Sequence, residues 1–301
     1  MSTINENYQM EASIIIPCKN EGSNVKMTVD SILAAASSDD YEIIIVDDGS
    51  ADGCCLFLQE NRVYQKVKHI HTPGLGAARA RNLGASDAHG KFLIFCDAHI
   101  TVPENWPRIL LDTFLQHPEA DAVSPAVGSL DKPAAAGYGQ TWNNRLETVW
   151  LPSPTNLEIT TVPLLPGGCL AVRAETFRQV GGFDSGFIVW GYEDVEISLK
   201  LWLFGYRLYV NPSVKILHLF RNKHPYSVTF DHVHYNLLRM AYSHFNFNRI
   251  GKTLELVQFK TRLKKITRRV LQDGAMEQRR AFFARRKFDD DWFMHRFKID
   301  F

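Results

Sequence analysis

The chain is poor in cysteine, has no long apolar run, and neither sign of charge dominates it. Its five cysteines, Cys18, Cys54, Cys55, Cys96 and Cys169, are odd in number and lie mostly within or beside apolar runs. That is a pattern of reduced buried thiols rather than of a disulfide frame, and a reducing, cytoplasmic setting is the expectation. Cys54 and Cys55 are adjacent, but no second pair stands at finger spacing, so a zinc finger is not expected. No apolar stretch is long enough to span a bilayer. The segment from Met1 to Met10 has neither a basic start nor an apolar centre, which does not fit a secretory leader. Lys and Arg total 34 against 33 Asp and Glu, a formal net charge of +1, so composition gives no case for nucleic-acid binding. Internal repeats and low-complexity segments are also lacking.

What is present is alternation. Short apolar runs at Ser13 to Ile16, Tyr41 to Val46, Val67 to Ile70, Lys91 to Cys96 and Asp121 to Ser124 alternate with helix-length segments. This predicts an α/β fold with a mostly parallel central sheet flanked by helices. Ligands of such sheets bind at the carboxyl ends of the strands. Here those ends are polar: Pro17 to Glu21 after the first strand, Asp47 to Ser50 after the second, Thr72 to Gly76 after the third, Asp97 to His99 after the fourth. Each alone could be a helix cap; together they converge on one rim. From about Pro125 to Pro166 the regular pattern is expected to break. It resumes with Gly167 to Val172, a helix from Ala174 to Val180, and a second helix from Glu193 to Phe204 with three acids in its first turn. From Leu254 to Leu271 basic and apolar residues alternate at helical spacing, predicting one basic amphipathic helix. Its polar face suits solvent or an anionic membrane surface. The acidic and aromatic end, Phe288 to Phe297, suits docking on the core or on a second copy in a homodimer.

Asp97-Ala98-His99 carries the chemistry. Residues i and i+2 of an extended chain project to one side, and a carboxylate beside an imidazole suits a divalent ion, Mn²⁺ or Mg²⁺. A nucleoside diphosphate bridged by that ion fits a rim of this kind. Gly74 to Arg79 has the start of a dinucleotide fingerprint, but Arg79 holds the third glycine position and the segment follows the third strand, against a dehydrogenase. A zinc hydrolase lacks its His-Glu-x-x-His helix and leaves the other strand ends without a role.

Ile14 to Glu21, Val46 to Ser50 and Gly74 to Gly84 resemble family 2 glycosyltransferases of the GT-A fold. Asp97-Ala98-His99, Gly167-Gly168, Trp190-Gly191-Tyr192-Glu193, His218 to Arg221 and His224-Pro225-Tyr226 are similar, in order, to the catalytic domains of polypeptide N-acetylgalactosaminyltransferases. The resemblance covers about Ala12 to Tyr226. It implies a catalytic domain over 1–250, with a nucleotide-sugar half at about 12–125, an acceptor half and closing loop at 126–250, and a helical extension at 251–301.

By the same resemblance His218 joins Asp97 and His99 as a metal ligand. Pro17, Asn20, Glu21 and Asp48 shape the base and ribose pocket, Arg79 offsets phosphate charge, and Gly168 lies at the sugar. Arg221 and Tyr226 close over the diphosphate of a UDP-sugar donor. Trp190 is expected at the acceptor and Trp142 in the core. Two residues depart from that group. Asp194 stands where those retaining enzymes have Asn, and as in inverting family 2 enzymes it supplies a general base, with Glu193 holding acceptor or sugar hydroxyls. Tyr192 replaces a glycine, crowding the sugar pocket against N-acetylgalactosamine itself. The expectation is an inverting transferase acting on a peptide, protein or glycan. The alternatives are a retaining transferase and a catalytically silent nucleotide-sugar-binding protein.

Overall fold

The structure, a computed structural model, describes residues 8–35, 40–258 and 260–301. Most of the segment read for a leader, and Phe259 of the basic stretch, lie outside the described residues. Twelve strands are described: β1 Met10–Cys18, β2 Tyr41–Asp47, β3 Val67–His71, β4 Gly90–Cys96, β5 Ile100–Thr101 and β6 Ala122–Ser129. Then come β7 Ala136–Gly137, β8 Gln140–Trp142, β9 Thr148–Trp150, β10 Thr160–Thr161, β11 Cys169–Arg173 and β12 Leu208–His218. The helices are α1 Asn24–Ala35, α2 Ala77–Ser86, α3 Trp106–Leu111, α4 Thr113–Gln116, α5 Ala174–Val180 and α6 Glu193–Leu203. They continue with α7 Phe230–His244, α8 Phe247–Leu256, α9 Lys260–Gln272, α10 Ala275–Arg285 and α11 Asp290–Phe297.

The main sheet runs β10-β12-β6-β11-β4-β1-β2-β3. Its block β4-β1-β2-β3 is parallel throughout, as the β-branched runs Ile14 to Ile16 and Ile43 to Val46 require: buried on both faces, they have no polar side to turn to water. Beyond β4 the sheet becomes mixed, because β11 pairs antiparallel with both β4 and β6. One strand outlasts the expected break at Pro125: β6 continues to Ser129 beside parallel β12. Proline donates no ladder bond, and β12 answers with a register shift between Asn211 and Lys215, next to the Asn211–Pro125 pair.

The single basic helix expected from Leu254 to Leu271 is two helices. α8 ends at Leu256, and Val257 turns extended (φ −65, ψ 114) before α9. Val257 is fully buried with Tyr235, Leu238, Ile266 and Val270. The break lets Val257 face α7 together with the apolar stripe of α9, which one continuous helical phase would not allow. The boundary expected at 250 falls inside α8. The acidic and aromatic end does dock on the chain's own core. Phe293 and Met294 of α11 share one apolar cluster with Phe95, Trp142 and Phe245, and Phe293 packs edge-on to Trp142 at 5.8 Å. Trp142 is core, as expected, at 3% exposure. No helix of the described residues is long and apolar enough to cross a membrane.

Candidate active site

At the carboxyl ends of β1, β2, β4 and β12 opens a cleft of about 1120 Å³, large enough for a nucleotide sugar. Asp97 leaves β4, and His99 follows just before β5. His218, 121 residues from Asp97 in sequence, ends β12. It is brought there by the pairing of β12 with β5, which sets His218 opposite Ile100, and by the Leu219 N–H donating to the His99 carbonyl at 3.0 Å. His218 Nε2 lies 3.2 Å from Asp97 Oδ2, and His99 Nε2 lies 4.0 Å from the same oxygen.

Donor atoms of all three residues fall within 4.8 Å of one another. Neighbouring ligands of an ion with bonds of about 2.1 Å stand about 3 Å apart, so the triad needs only a small contraction, and one carboxylate with two imidazoles is a fitting donor set. Burial opposes charge on Asp97, but the His218 hydrogen bond and the Arg81, His99 and His218 charges outweigh it and hold its pKa well below the ordinary value. The carboxylate therefore stays ionised for a cation.

Glu21 lines the cleft and stands beside His99: its Oε2 lies 3.4 Å from His99 Nδ1. Arg221 Nη2 stands closer to the same ring nitrogen, at 3.0 Å, and since a guanidinium only donates, His99 Nδ1 accepts from Arg221 here; with Arg221 withdrawn, Glu21 would be the carboxylate that orients the imidazole. Arg221 grips the same carboxylate with both Nη atoms, at 2.9 and 2.8 Å. Burial favours the protonated form of Glu21, yet the bonds from His99 and Arg221 prevail and lower its pKa.

Of the remaining expected residues, Pro17, Asp48, Arg79, Gly168, Trp190, Tyr226, Glu193 and Asp194 all line the cleft, whereas Asn20 is not among the lining residues. Asn20 ties loops instead, accepting from the Ala51 N–H at 2.8 Å. The Asp48 carboxylate is engaged locally, taking bonds from Thr72 Oγ1 and the Leu75 and Gly76 N–H groups. It shapes the Thr72 to Gly76 turn, whose glycines border the cleft. Arg79 is exposed at the rim, its Nε donating to the Ser185 carbonyl. Trp190, 38% exposed, leans on His224 with ring centroids 4.3 Å apart.

Three acids open α6, and the structure separates their roles. Glu193 is buried and accepts from Arg81 Nη1 at 3.2 Å and from the Gly191 N–H at 2.8 Å. Glu196 is buried against Lys200 and His244. Glu193 and Asp194 both line the cleft, but Glu193 is held by Arg81, whereas Asp194 has no ion-pair partner among the described residues. Its oxygens accept the Gly167 and Val195 N–H groups, each at 2.9 Å. Removal from water and the adjacent Glu193 charge nonetheless push its pKa up to about 6, the range of a working general base.

Gly167 and Gly168 are needed because side chains lie on them. A Cβ on Gly167 would stand 3.0 Å from Asp194 Oδ2, and one on Gly168 would stand 3.0 Å from His218 Cδ2. The pair thus brings the candidate base and a metal ligand onto one backbone edge.

Two site residues escape the sequence reading. Arg81, one helical turn inside α2, is buried and bridges Asp97 Oδ1 at 2.8 Å to Glu193 at 3.2 Å. It couples the metal triad to the start of α6. The signal was a charge on the apolar face marked by Ala78 and Gly84. Asn236 of α7 is also buried. It bonds the Ile188 N–H and the Ile188, Trp190 and Gly191 carbonyls, clamping the segment in which Val189 and Tyr192 take left-handed φ of 52° and 67°. A β-branched residue there is strained and holds only where its surroundings enforce it.

This site and sheet have known counterparts. The glycosyl transferase family 2 model matches residues 13–181, and a model described as the N-terminal domain of galactosyltransferase matches 160–225. Polypeptide N-acetylgalactosaminyltransferase 11 of Xenopus tropicalis is 33% identical over 261 residues, 77% of this chain and 42% of that protein. Polypeptide N-acetylgalactosaminyltransferase 8 of Drosophila melanogaster is 30% identical over 239 residues, 71% of this chain and 40% of that protein. The chain therefore spans under half the length of each. Among solved structures, GalNAc-T7 with UDP, GalNAc and Mn²⁺ superimposes with a TM-score of 0.71 at 22% identity, covering 97% of this chain and 57% of that one. The mannosyltransferase PcManGT of Pyrobaculum calidifontis, in complex with GDP-Man and Mn²⁺, gives 0.57 at 18% identity, covering 93% and 75%. The fold is thus that of GT-A glycosyltransferases. With more than half its length matched by the family model, the chain belongs to glycosyl transferase family 2.

Proposed function

We propose that the chain transfers a sugar from a UDP-sugar to a hydroxyl of a peptide, protein or glycan acceptor, inverting the anomeric carbon. The observation that carries this reading is that Asp194 lines the cleft that also holds Asp97, His99 and His218 while its neighbours Glu193 and Glu196 are taken up in ion pairs with Arg81 and with Lys200 and His244. A divalent cation held by those three side chains would neutralise the diphosphate and make it a better leaving group. The Mn²⁺ and UDP bound by GalNAc-T7 support that ion and that nucleotide.

Arg221 and Tyr226 sit on the loop after β12 and would turn onto the diphosphate, closing water out. That turn requires Arg221 to leave Glu21, freeing Glu21 to accept from His99 Nδ1 alone. Arg79 adds positive charge at the rim, and Trp190 offers a flat face to the acceptor. Asp194 takes the proton of the acceptor hydroxyl as its oxygen bonds to the anomeric carbon, while the bonding electrons depart with UDP. Glu193, spent on Arg81 and the Gly191 N–H, positions the start of α6.

A retaining reaction is the second reading. It draws on the two backbone bonds already made by the Asp194 carboxylate, which suit a structural role; the leaving phosphate would then take the acceptor proton. Proton NMR of the first-formed product separates the two. A product of opposite anomeric configuration to the donor supports the base, and a retained one overturns it. A UDP-sugar hydrolysis panel with Mn²⁺ identifies the donor. The exposed basic face of α9, whose Arg269 reaches the cleft, is the proposed contact for an anionic membrane surface carrying the acceptor. Sedimentation with anionic liposomes of the unaltered chain and of a K264E/K265E/R268E variant, which reverses exposed charges of α9 and leaves the core intact, tests it.

A further inference from the structure

Cys18, Cys54 and Cys55 form a cluster that the proposed transfer reaction does not use. Cys18 ends β1, and the adjacent pair lies in the loop after β2, so two separate loops supply the three thiols. Cys18 Sγ and Cys55 Sγ are 3.6 Å apart, Cys54 Sγ and Cys55 Sγ are 3.9 Å apart, and all three sulfurs lie within 4.8 Å of one another. A disulfide needs about 2.05 Å, and all five cysteines are free. Thiolates at about 2.3 Å from a tetrahedral zinc lie about 3.8 Å from each other, so the two edges that meet at Cys55 already have the length such a site needs, and the third lies within 4.8 Å.

Spacing alone does not distinguish a site from packing. Cys96 and Cys169 are 3.8 Å apart as well, but they form a pair only, sealed at 0% exposure between β4 and β11. The triad differs in number, in position and in company. Its residues keep 4 to 7% exposure, which leaves an entry path. Cys55 also belongs to a second donor group with Asp47 and His69, whose ligand atoms lie within 4.8 Å of one another. A carboxylate and an imidazole thus stand beside the triad for the fourth position, which water could also fill.

We propose that Cys18, Cys54 and Cys55 bind a structural zinc ion that staples the loop after β1 to the loop after β2. The three thiol protons pass to solvent as the thiolates bind. The two loops already touch: the Asn20 N–H donates to Ser50 Oγ at 3.0 Å, the Gly22 N–H donates to Asp52 at 2.8 Å, and Ser50 Oγ lies 3.4 Å from Cys54 Sγ. Both border the nucleotide end of the cleft, where Cys18 itself lines the wall. The staple would hold that end in shape before donor arrives. The proposal stands whether or not the transfer reaction is as described above, since it concerns a separate donor set.

The test uses the full chain, purified reduced and gel-filtered. Metal content is measured for the unaltered chain and for an H99A/H218A variant, which removes both imidazoles of the Asp97–His99–His218 site and leaves Asp97 paired with Arg81. Zinc retained at about one per chain in both is the expected result. Cobalt(II) loaded into the unaltered chain should give a near-ultraviolet thiolate charge-transfer band, which a carboxylate–imidazole site cannot produce. In C54S, and separately in C18S, that band should fall by about a third as one of three thiolates is lost. The absence of the band in the unaltered chain overturns the proposal even if both serine variants fail to fold. So does a band unchanged in C54S, or zinc lost entirely in H99A/H218A.

Discussion

Replacing Asp194 with asparagine should stabilise the protein at pH 8 while disabling it. Burial and the Glu193 carboxylate raise the Asp194 pKa from 3.8 to about 6. A carboxyl group whose pKa is raised on folding binds its proton more tightly in the folded chain. Its stabilising contribution is complete below pH 3.8 and is lost as pH rises through about 6. A shift of roughly two units corresponds to roughly 3 kcal/mol, and partial exposure of the side chain reduces this to about 1–2 kcal/mol.

Asparagine has no such penalty, but it keeps only one acceptor oxygen for the Gly167 and Val195 N–H groups, a loss of about 1 kcal/mol. The net gain of up to about 1 kcal/mol should raise the melting temperature of the variant about 2 °C above the unaltered chain at pH 8, and the lost bond should put it about 2 °C below at pH 4. The crossing is the diagnostic feature. Turnover, followed by UDP release with Mn²⁺ and a competent acceptor, should fall by about 10²–10⁴-fold. That of the unaltered enzyme should rise with pH through about 6 as Asp194 ionises. Undiminished turnover of D194N, or a melting difference that does not change sign with pH, would refute the reasoning.

G168A should push His218 off the metal triad, because the new Cβ meets the imidazole at 3.0 Å; Mn²⁺ titrated by calorimetry should bind roughly 10-fold or more weakly with little change in melting temperature. R81M leaves Asp97 and Glu193 buried without their shared cation. This should cost about 3–5 kcal/mol and lower the melting temperature by on the order of 10 °C, an outcome that an unchanged thermal scan would contradict. N236L removes the bonds that hold Ile188 to Gly191. A loss of about 3 kcal/mol, together with faster hydrogen exchange across Ile188 to Tyr192, is expected, and protection equal to that of the unaltered chain would show that the strained segment needs no clamp.

How much of this was legible in the sequence depends on the range over which each signal acts. The parallel block of the sheet was, because apolar runs buried on both faces leave a local mark, and so were the polar strand ends that became the cleft. Asp97 and His99 share a local spacing and were legible on their own. His218 was not. Its place depends on the pairing of β12 with two-residue β5, a long-range contact that no periodicity announces, and only likeness to a family pointed to it. Asp194 was named through likeness to inverting family 2 enzymes, since a first-turn carboxylate alone reads as a helix start. Its separation from Glu193 and Glu196 depended on partners 112 and 48 residues away, Arg81 and His244.

Arg81 shows why that step fails from sequence alone. A lone arginine on an apolar helix face says that a buried anion must exist, but not which one. Here it has two, Asp97 at the metal triad and Glu193 beside the candidate base. Removing either carboxylate leaves the guanidinium with the other, so D97N and E193Q should each unsettle both ends of the site. The division of labour at the cleft therefore follows from one buried charge. By engaging Glu193, Arg81 leaves Asp194 as the carboxylate free to take a proton, and by engaging Asp97 Oδ1 it leaves Oδ2 turned toward His218 and a cation.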